Sequence, residues 1–172
     1  MAATISVKQG TGATPTNTTI TNLRLKTADD PSGTDTTYPL VKPSAGTNYS
    51  YVAWLRLNAD TTPTGTINNV KIFTDGTSGY GTGVTLKGIT TATYAQATGT
   101  QGTSGDLSST VYTSGTDMFT YTTSAPLAVT GSLTNPSTGI ISNYVAMQMA
   151  LATTVVAGTL TAETFTWRYD ET

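Results

Sequence analysis

The sequence predicts an all-β fold, an antiparallel β-sandwich of the jelly-roll or immunoglobulin-like kind, in which residues 1–172 form a single domain. Three observations lead to this prediction. Four segments alternate apolar and polar residues with the period of two that sends side chains to opposite faces of a strand. The chain is rich in Thr, a β-branched residue that suits strands better than helices. Gly-Thr pairs recur between the segments, where Gly ends a turn and Thr opens the next strand.

The four alternating segments are residues 49–58, 69–74, 143–152 and 161–171. Residues 145–152 also contain good helix formers, but no capping box precedes them and a β-branched Thr-Thr-Val-Val run follows, which favours a strand. The inward faces of the four segments predict a core built around one set of large side chains: Trp54, Leu55, Val70, Ile72, Met147 and Phe165.

Six shorter segments are also predicted to be strands, namely residues 4–8, 20–26, 84–87, 110–112, 118–122 and 127–129. Two regions have weaker patterns: residues 1–18 read as a possible N-terminal arm, and residues 88–109 as a long Thr/Gly/Ala-rich loop or arm. In the second region Asp106 is the only charged residue. Its apolar side chains are too few to offset an ordering entropy of about 1–2 kcal/mol per residue. We therefore expect another subunit to order it by strand addition.

Composition excludes several classes of function. The chain has no Cys and no His, which rules out disulfides, zinc–thiolate sites, thiol nucleophiles and the commonest general base. Its net charge is −2, and no basic residue lies between Lys87 and Arg168, so no surface for nucleic acid or an anionic membrane is expected. We predict a non-enzymatic protein without catalytic, cofactor-binding or metal-binding residues.

Two local patterns invite a more specific interpretation. Asp29, Asp30 and Asp35 bring together the hard oxygen ligands that calcium prefers, but their spacing is not that of an EF-hand, and Asp-Pro with Ser-Gly is ordinary turn chemistry. The Gly-rich residues 75–83 follow a strand, yet they lack the Lys-Ser/Thr ending and the following helix of a phosphate-binding loop. They predict instead a hairpin connection between Phe73 and Val84.

Two further possibilities are weighed against ordinary packing. The ten carboxylates stand mostly in turn-like sequence and no Ser-x-x-Lys occurs, so neither glycosidase chemistry nor a Ser–Lys pair is favoured. Aromatic side chains on one sheet can stack on sugars, and five are candidates for such a platform. Core and rim positions are the more usual place for them: Tyr49, Tyr51, Trp54, Trp167 and Tyr169.

The N-terminal residues lack the basic and apolar regions of a secretory signal, and the most apolar stretch, residues 144–158, is shorter than the roughly 20 residues of a membrane-spanning helix. These features predict a soluble chain made in the cytosol. Two explanations remain open for the polar, Lys-poor composition. The protein is either a virion component assembled in the host cytoplasm or a chain whose export signal has been removed.

The end of the sequence carries a resemblance. After residues 144–152 an Ala157-Gly158 turn leads to Phe165, Trp167 and Tyr169, and Asp-Glu follows. This ending resembles the last two strands of immunoglobulin-like sandwiches and the aromatic-Asp-Glu tail of small tailed-phage virion proteins. The resemblance implies a structural protein that decorates or cements the capsid surface, with the major capsid protein as its foremost partner. We expect a homo-oligomer, with a trimer favoured. The alternatives are a tail, baseplate or fibre component, or a carbohydrate-binding or adhesin module.

Overall fold

Strands make up about 40% of the chain and helices about 5% in the computed structural model, which describes residues 2–33, 36–106 and 109–172. These proportions and the antiparallel packing of the sheets confirm the predicted β-sandwich. No helix in the described ranges is long and apolar enough to cross a membrane. The elements, in chain order, are β1 (Ile5–Thr11), β2 (Thr16–Ile20), β3 (Thr47–Tyr49), β4 (Ala53–Ala59), β5 (Thr66–Phe73), β6 (Val84–Thr91), β7 (Gly99–Thr100), β8 (Ser104–Gly105), α1 (Thr110–Ser114), β9 (Thr116–Asp117), a 3₁₀ turn (Met118–Thr120), β10 (Leu127–Ala128), β11 (Leu133–Thr134), β12 (Gly139–Ile140), β13 (Tyr144–Ala152) and β14 (Thr166–Glu171).

The larger sheet has the order β2-β1-β4-β13-β6-β9, with β3 added beside β13 and β12 beside β4. Its central strand is β13, which pairs with β4 on one side and along its whole length with β6 on the other. Every residue of β13 except the last is buried, because both faces of this strand are covered. The larger sheet therefore forms the middle layer of the molecule.

The smaller sheet is built on β5, which pairs with β14 on one side and with β10 and β11 on the other. A bulge at Asn69, whose φ is 51°, inserts one extra residue into β5 opposite β14. The bulge shifts the alternation, so that Ile67 and Val70 both point into the core although they are three residues apart. The Asn69 side-chain amide donates to Asp170 Oδ2 at 2.7 Å and holds the bulge.

The main core lies between the two sheets. Leu55, Val70, Ile72 and Met147 are buried in it as predicted, and Phe165 packs at its margin. Trp54 is also buried, but on the outer face of the larger sheet, in a second cluster with Val52, Val111, Tyr144 and Ala146. Its placement in the inter-sheet core was wrong, because adjacent residues of a strand point to opposite faces.

Residues 92–114 form an outer layer over that second cluster, apart from residues 107–108, which lie outside the described ranges. Gln148 ties this layer to the central strand: its Nε2 donates to Ser50 O at 2.9 Å and to Asp106 O at 3.1 Å. The prediction of a loop or arm over residues 88–109 was therefore wrong at its start, because β6 continues to Thr91. Tyr94 and Ala97, in the described remainder, pack on the molecule's own larger sheet.

The predicted N-terminal arm, residues 1–18, is also corrected for the described residues 2–18, Met1 lying outside them. β1 and β2 form a hairpin, and β1 pairs with β4 from Ile5 opposite Ala59 to Gly10 opposite Trp54. Ile5, Val7 and Ile20 pack against the inter-sheet core. Few apolar residues are therefore enough to order this segment once its backbone is hydrogen-bonded to a neighbouring strand.

Several local predictions need correction for reasons visible at the backbone. Residues 110–112 begin a short helix because Ser109 Oγ accepts from Val111 N, and residues 118–120 form a 3₁₀ turn capped by Asp117 Oδ1. Of residues 20–26 only Ile20 is in a strand, and of residues 161–171 only those from Thr166 onward are.

The connections differ from expectation as well. Residues 75–83 join β5 of the smaller sheet to β6 of the larger one, so they cross between sheets and do not form a hairpin. The segment 49–58 is interrupted at residues 50–52, where Ser50 N donates to Met149 O and Tyr51 N donates to Lys26 O. This interruption brings residues 26–30 against the larger sheet and creates the first of the two concave surfaces described below.

Candidate functional site

A buried ammonium group organises the segment that leads from β2 to β3. The Lys26 side chain is 1% exposed, and its Nζ lies 2.5 Å from Asp30 Oδ2 and 3.2 Å from the carbonyl oxygen of Ser32. Asp30 Oδ1 accepts from Ser32 N at 2.9 Å. Because a buried charge is tolerated only with close partners, this ion pair fixes the path of residues 26–32.

The same contacts account for the acidic cluster that suggested calcium. Asp29 Oδ2 accepts from Gly12 N at 2.7 Å, and Asp30 is engaged by Lys26 and by Ser32 N. Asp35 lies outside the described residues. Among the residues that are described, no three acids approach one another closely enough to hold a metal ion. The Lys26 ammonium therefore pairs with Asp30, and a backbone amide engages Asp29.

The remaining described carboxylates each serve a local structural contact. They cap turns, brace the bulge in β5, or join loops to strand ends, and each accepts at least one hydrogen bond: Asp60, Asp75, Asp106, Asp117, Glu163, Asp170 and Glu171. Hydrogen bonds from the backbone and side chain of Thr64 lower the pKa of Glu171, which also accepts from Ala3 N. Of these seven carboxylates, only Glu163 lines one of the two concavities described below, so no two of them face each other across either one.

Asp29 and Asp30 do line an open depression of about 530 Å³, which we call the polar hollow. Its walls combine carboxylates, amides, small residues and two phenol rings: Ala28, Asp29, Asp30, Tyr38, Tyr51, Gln96, Ala97, Thr98, Gly99 and Gln101. Burial, and then the nearby charge of Asp29, raise the pKa of Tyr51. Hydroxyl, carboxylate and amide groups beside an aromatic ring are the kinds of group that recognise a polyhydroxylated ligand.

Tyr38 lies in the wall of the polar hollow with an unusual backbone conformation. Its φ is 52°, in the left-handed region that bulky residues rarely adopt. The Tyr38 carbonyl accepts from both the amide (2.9 Å) and the hydroxyl (3.0 Å) of Thr27, which is buried. These two bonds hold the strained residue, and Tyr38 as a whole remains 42% exposed beside the hollow.

The five aromatic residues considered for a sugar-stacking platform do not form one surface. Trp54 is buried beneath Tyr94 and Tyr144, with ring centroids 5.2 and 5.8 Å away, and Arg56 stacks over Tyr144. Trp167 and Tyr169 pack against the inter-sheet core from the smaller sheet. Tyr49 contacts Tyr112 edge to face, which leaves Tyr51 as the one member of the set that lines the polar hollow.

A second and larger concavity of about 890 Å³ opens between the two sheets, and we call it the inter-sheet groove. Its floor is the inner face of the larger sheet, with side chains from β1, β4, β6 and β13: Val7, Leu55, Leu86, Met149 and Leu151. Phe165 and Trp167 border it on the side of β14, and residues 20–25 and 155–164 form its other walls. The groove exists because, in the described ranges, the smaller sheet is three strands across and the larger one six.

The rim of the groove is asymmetric in charge. Arg24 and Lys42 line it, and neither forms an ion pair with any described residue. Glu163 also lines it, but Glu163 Oε1 accepts from Gly79 N. Tyr80 is close to Glu163, and burial of the phenol, followed by the negative charge of Glu163, raises the pKa of Tyr80 to about 12. Val156, on the groove wall, is 82% exposed.

The fold and these two concavities define the molecule as an antiparallel β-sandwich with an open apolar groove and a separate polar hollow. Comparison with protein-family models, with curated proteins and with solved structures finds no match for this chain. The residues of the chain and the geometry that they adopt therefore provide the basis for its function.

Proposed function

We propose that this chain is a non-enzymatic structural protein of a tailed-phage virion, which decorates or cements the capsid surface as a homo-oligomer. The observation that carries the proposal is the contrast between its polar and apolar groups. The described carboxylates, and the buried ammonium of Lys26, are engaged in contacts that hold the fold together. The larger of the two concavities is instead an open groove with an apolar floor, of the kind used to bind another macromolecule.

Two further features favour an adhesive role. The sandwich covers both faces of its central sheet, so it offers a rigid body whose groove is already formed before a partner arrives. Many identical copies on a symmetric shell would add their individual contacts, which gives strong attachment without chemistry at any one site. The resemblance of residues 144–171 to small virion proteins points to the capsid, with a tail or baseplate position as the alternative.

Electron cryomicroscopy of the particle that contains this protein is the direct test. We expect density that fits the sandwich at regular positions on the outer capsid surface, with its inter-sheet groove facing a shell subunit. Density confined to the tail would replace the capsid assignment with the tail or baseplate alternative. Absence of the chain from purified particles, measured by mass spectrometry, would contradict a virion role altogether.

The polar hollow favours a second candidate function, binding of a carbohydrate. Tyr38 and Tyr51 offer ring faces beside the carboxylate of Asp29 and the amides of Gln96 and Gln101. A glycan array with the wild-type chain is the test, and Tyr38→Ala is the informative variant because that ring is exposed and its loss leaves the core intact. Tyr121→Ala, on a half-buried Tyr outside the hollow, is the control. Binding that survives Tyr38→Ala unchanged would exclude the hollow as the site.

A further inference from the structure

One edge of the smaller sheet lies beside the inter-sheet groove without a strand partner. β14 pairs with β5, and no backbone hydrogen bond from a described residue reaches its opposite side. Residues along β14 alternate between exposed and half-buried, and it contains no Pro. Such an edge presents a row of N–H and C=O groups that can pair with an additional strand.

The groove offers apolar contacts to a strand added at that edge. Phe165, which directly precedes β14, and Trp167, its second residue, line the groove. Leu160, Leu25 and Leu40 line it with them. A strand laid along β14 would turn every second side chain toward these residues and the others toward solvent. Apolar side chains at alternate positions of the incoming segment would therefore be buried, at a gain of about 25 cal/mol for each Å² removed from water.

Charge specifies the segment further. Arg24 and Lys42 are two groove-lining cations without a described carboxylate partner, in a chain whose net charge is −2. Arg24 is half-buried and Lys42 is exposed, and a carboxylate on the incoming segment would form a charge-assisted hydrogen bond with either of them. An uncharged segment would form no such bond, and a basic segment would be repelled by both cations.

We propose that the inter-sheet groove is the docking site for an extended segment of a partner protein. The segment adds as a strand to the free edge of β14, places apolar side chains at alternate positions in the groove, and pairs an acidic residue with Arg24 or Lys42. This inference rests on the proposed function in that it names the surface and the partner chemistry through which the chain would attach. It concerns the groove alone and not the position of the protein in a particle.

The test begins with a display library of random eight-residue peptides selected on the wild-type chain. Enriched peptides are then synthesised with a fluorescent label and titrated by anisotropy. We expect sequences that alternate apolar and polar residues and include Asp or Glu. Val156→Asp, at an exposed position on the groove wall, should weaken binding at least tenfold. The paired charge reversal Arg24→Glu with Lys42→Glu should do the same, whereas Arg24→Lys with Lys42→Arg should preserve binding.

Val41→Asp is the matched control, because Val41 is an exposed Val that does not line the groove, and this variant should bind like the wild type. Amide hydrogen exchange should show new protection in β14 when the peptide is bound. The inference is overturned if no enriched peptide distinguishes Val156→Asp from Val41→Asp, or if β14 gains no protection. Two other results would also overturn the inference. If the groove variants instead abolish self-association in sedimentation experiments, the occupant of the groove is a second copy of the chain. If oleate competes fully for the groove while β14 stays unprotected, the groove is a lipid site.

These outcomes separate the docking inference from the proposed function. If no peptide binds but the chain is located on a capsid, only the assignment of the groove as the attachment surface is rejected. If peptides bind but the chain is missing from particles, the virion role is rejected and the docking site stands.

Discussion

Replacing Lys26 by Met tests whether the buried ion pair holds the segment between β2 and β3. The Met side chain keeps most of the apolar stem but removes the ammonium that donates to Asp30 and to the Ser32 carbonyl. Loss of a hydrogen bond to a charged group costs about 1.5–3 kcal/mol. Asp30 is 33% exposed and can regain water, so the cost should stay below the roughly 3–5 kcal/mol for breaking a fully buried pair. We expect the free energy of unfolding to fall by about 2–3 kcal/mol.

The measurement is urea unfolding at neutral pH, followed by tryptophan fluorescence, with a thermal melt that should fall by about 5–10 °C. Lys8→Met is the matched control, because the Lys8 ammonium lies 3.8 Å from Asp60 in a more exposed pair and should contribute less than about 1 kcal/mol. The double variant Lys26→Met/Asp30→Asn should be no less stable than Lys26→Met, since the stranded carboxylate is gone. The reasoning is refuted if Lys26→Met costs no more than Lys8→Met.

Four other predictions follow from contacts described above. Burial and the charge of Glu163 raise the pKa of Tyr80, so its contribution to stability is complete below pH 10 and is lost as the pH rises toward 12. The melting temperature should therefore fall less steeply over that range for Tyr80→Phe than for the wild type. Tyr94→Phe removes the hydroxyl that donates to Gly12 O at 2.8 Å, and the free energy of unfolding in urea should fall by about 1 kcal/mol. Tyr94→Ala should also red-shift the emission of Trp54, because it uncovers the indole ring. Gly105→Ala should destabilise the domain by more than about 2 kcal/mol, since its Cβ would lie 2.0 Å from Ser50 O, and a melt within 2 °C of the wild type would contradict the close approach. EDTA should leave the melting temperature unchanged, because Gly12 N donates to Asp29 and the Lys26 ammonium pairs with Asp30; a drop of several degrees would point to a bound cation.

The fold class was predictable because its signal is local and repeated. Alternation along residues 143–152 predicts both faces of β13 correctly, with Met147 toward one and Ala146 toward the other. What the pattern could not reveal is that the second face is covered as well. Gln148 looks like an outward polar residue, whereas its amide bonds Ser50 O and Asp106 O beneath the outer layer. Ala146, Ala150 and Tyr144 lie on the same face of β13 as Gln148. Their small or aromatic side chains were the available sign that this face is also covered.

The elements that sequence reasoning missed depend on single hydrogen bonds and on distant partners. A helix begins at Thr110 because Ser109 caps it, although Thr and Val in that segment favour strands. Residues 88–109 contain few apolar side chains, and the packing of Tyr94 and Ala97 over Trp54 depends on a strand distant in sequence. The two concavities were not predictable either. The polar hollow joins residues 28–30, 38, 51 and 96–101, which no spacing rule connects.

The position of β13 in the larger sheet has a consequence for how the protein is made. β4 and β6 emerge early during synthesis, yet the strand that joins them, residues 144–152, emerges after most of the chain. Until then most of the edge that each strand offers to β13 stays open, and that sheet is limited to β1, β2 and β12 around β4 and to β9 beside β6. Contacts between residues this distant in sequence are associated with slow folding and with partly formed states that expose apolar surface. A nascent chain stalled before Tyr144 should therefore be held by chaperones and be sensitive to protease, and it should become resistant as one unit once that strand is released.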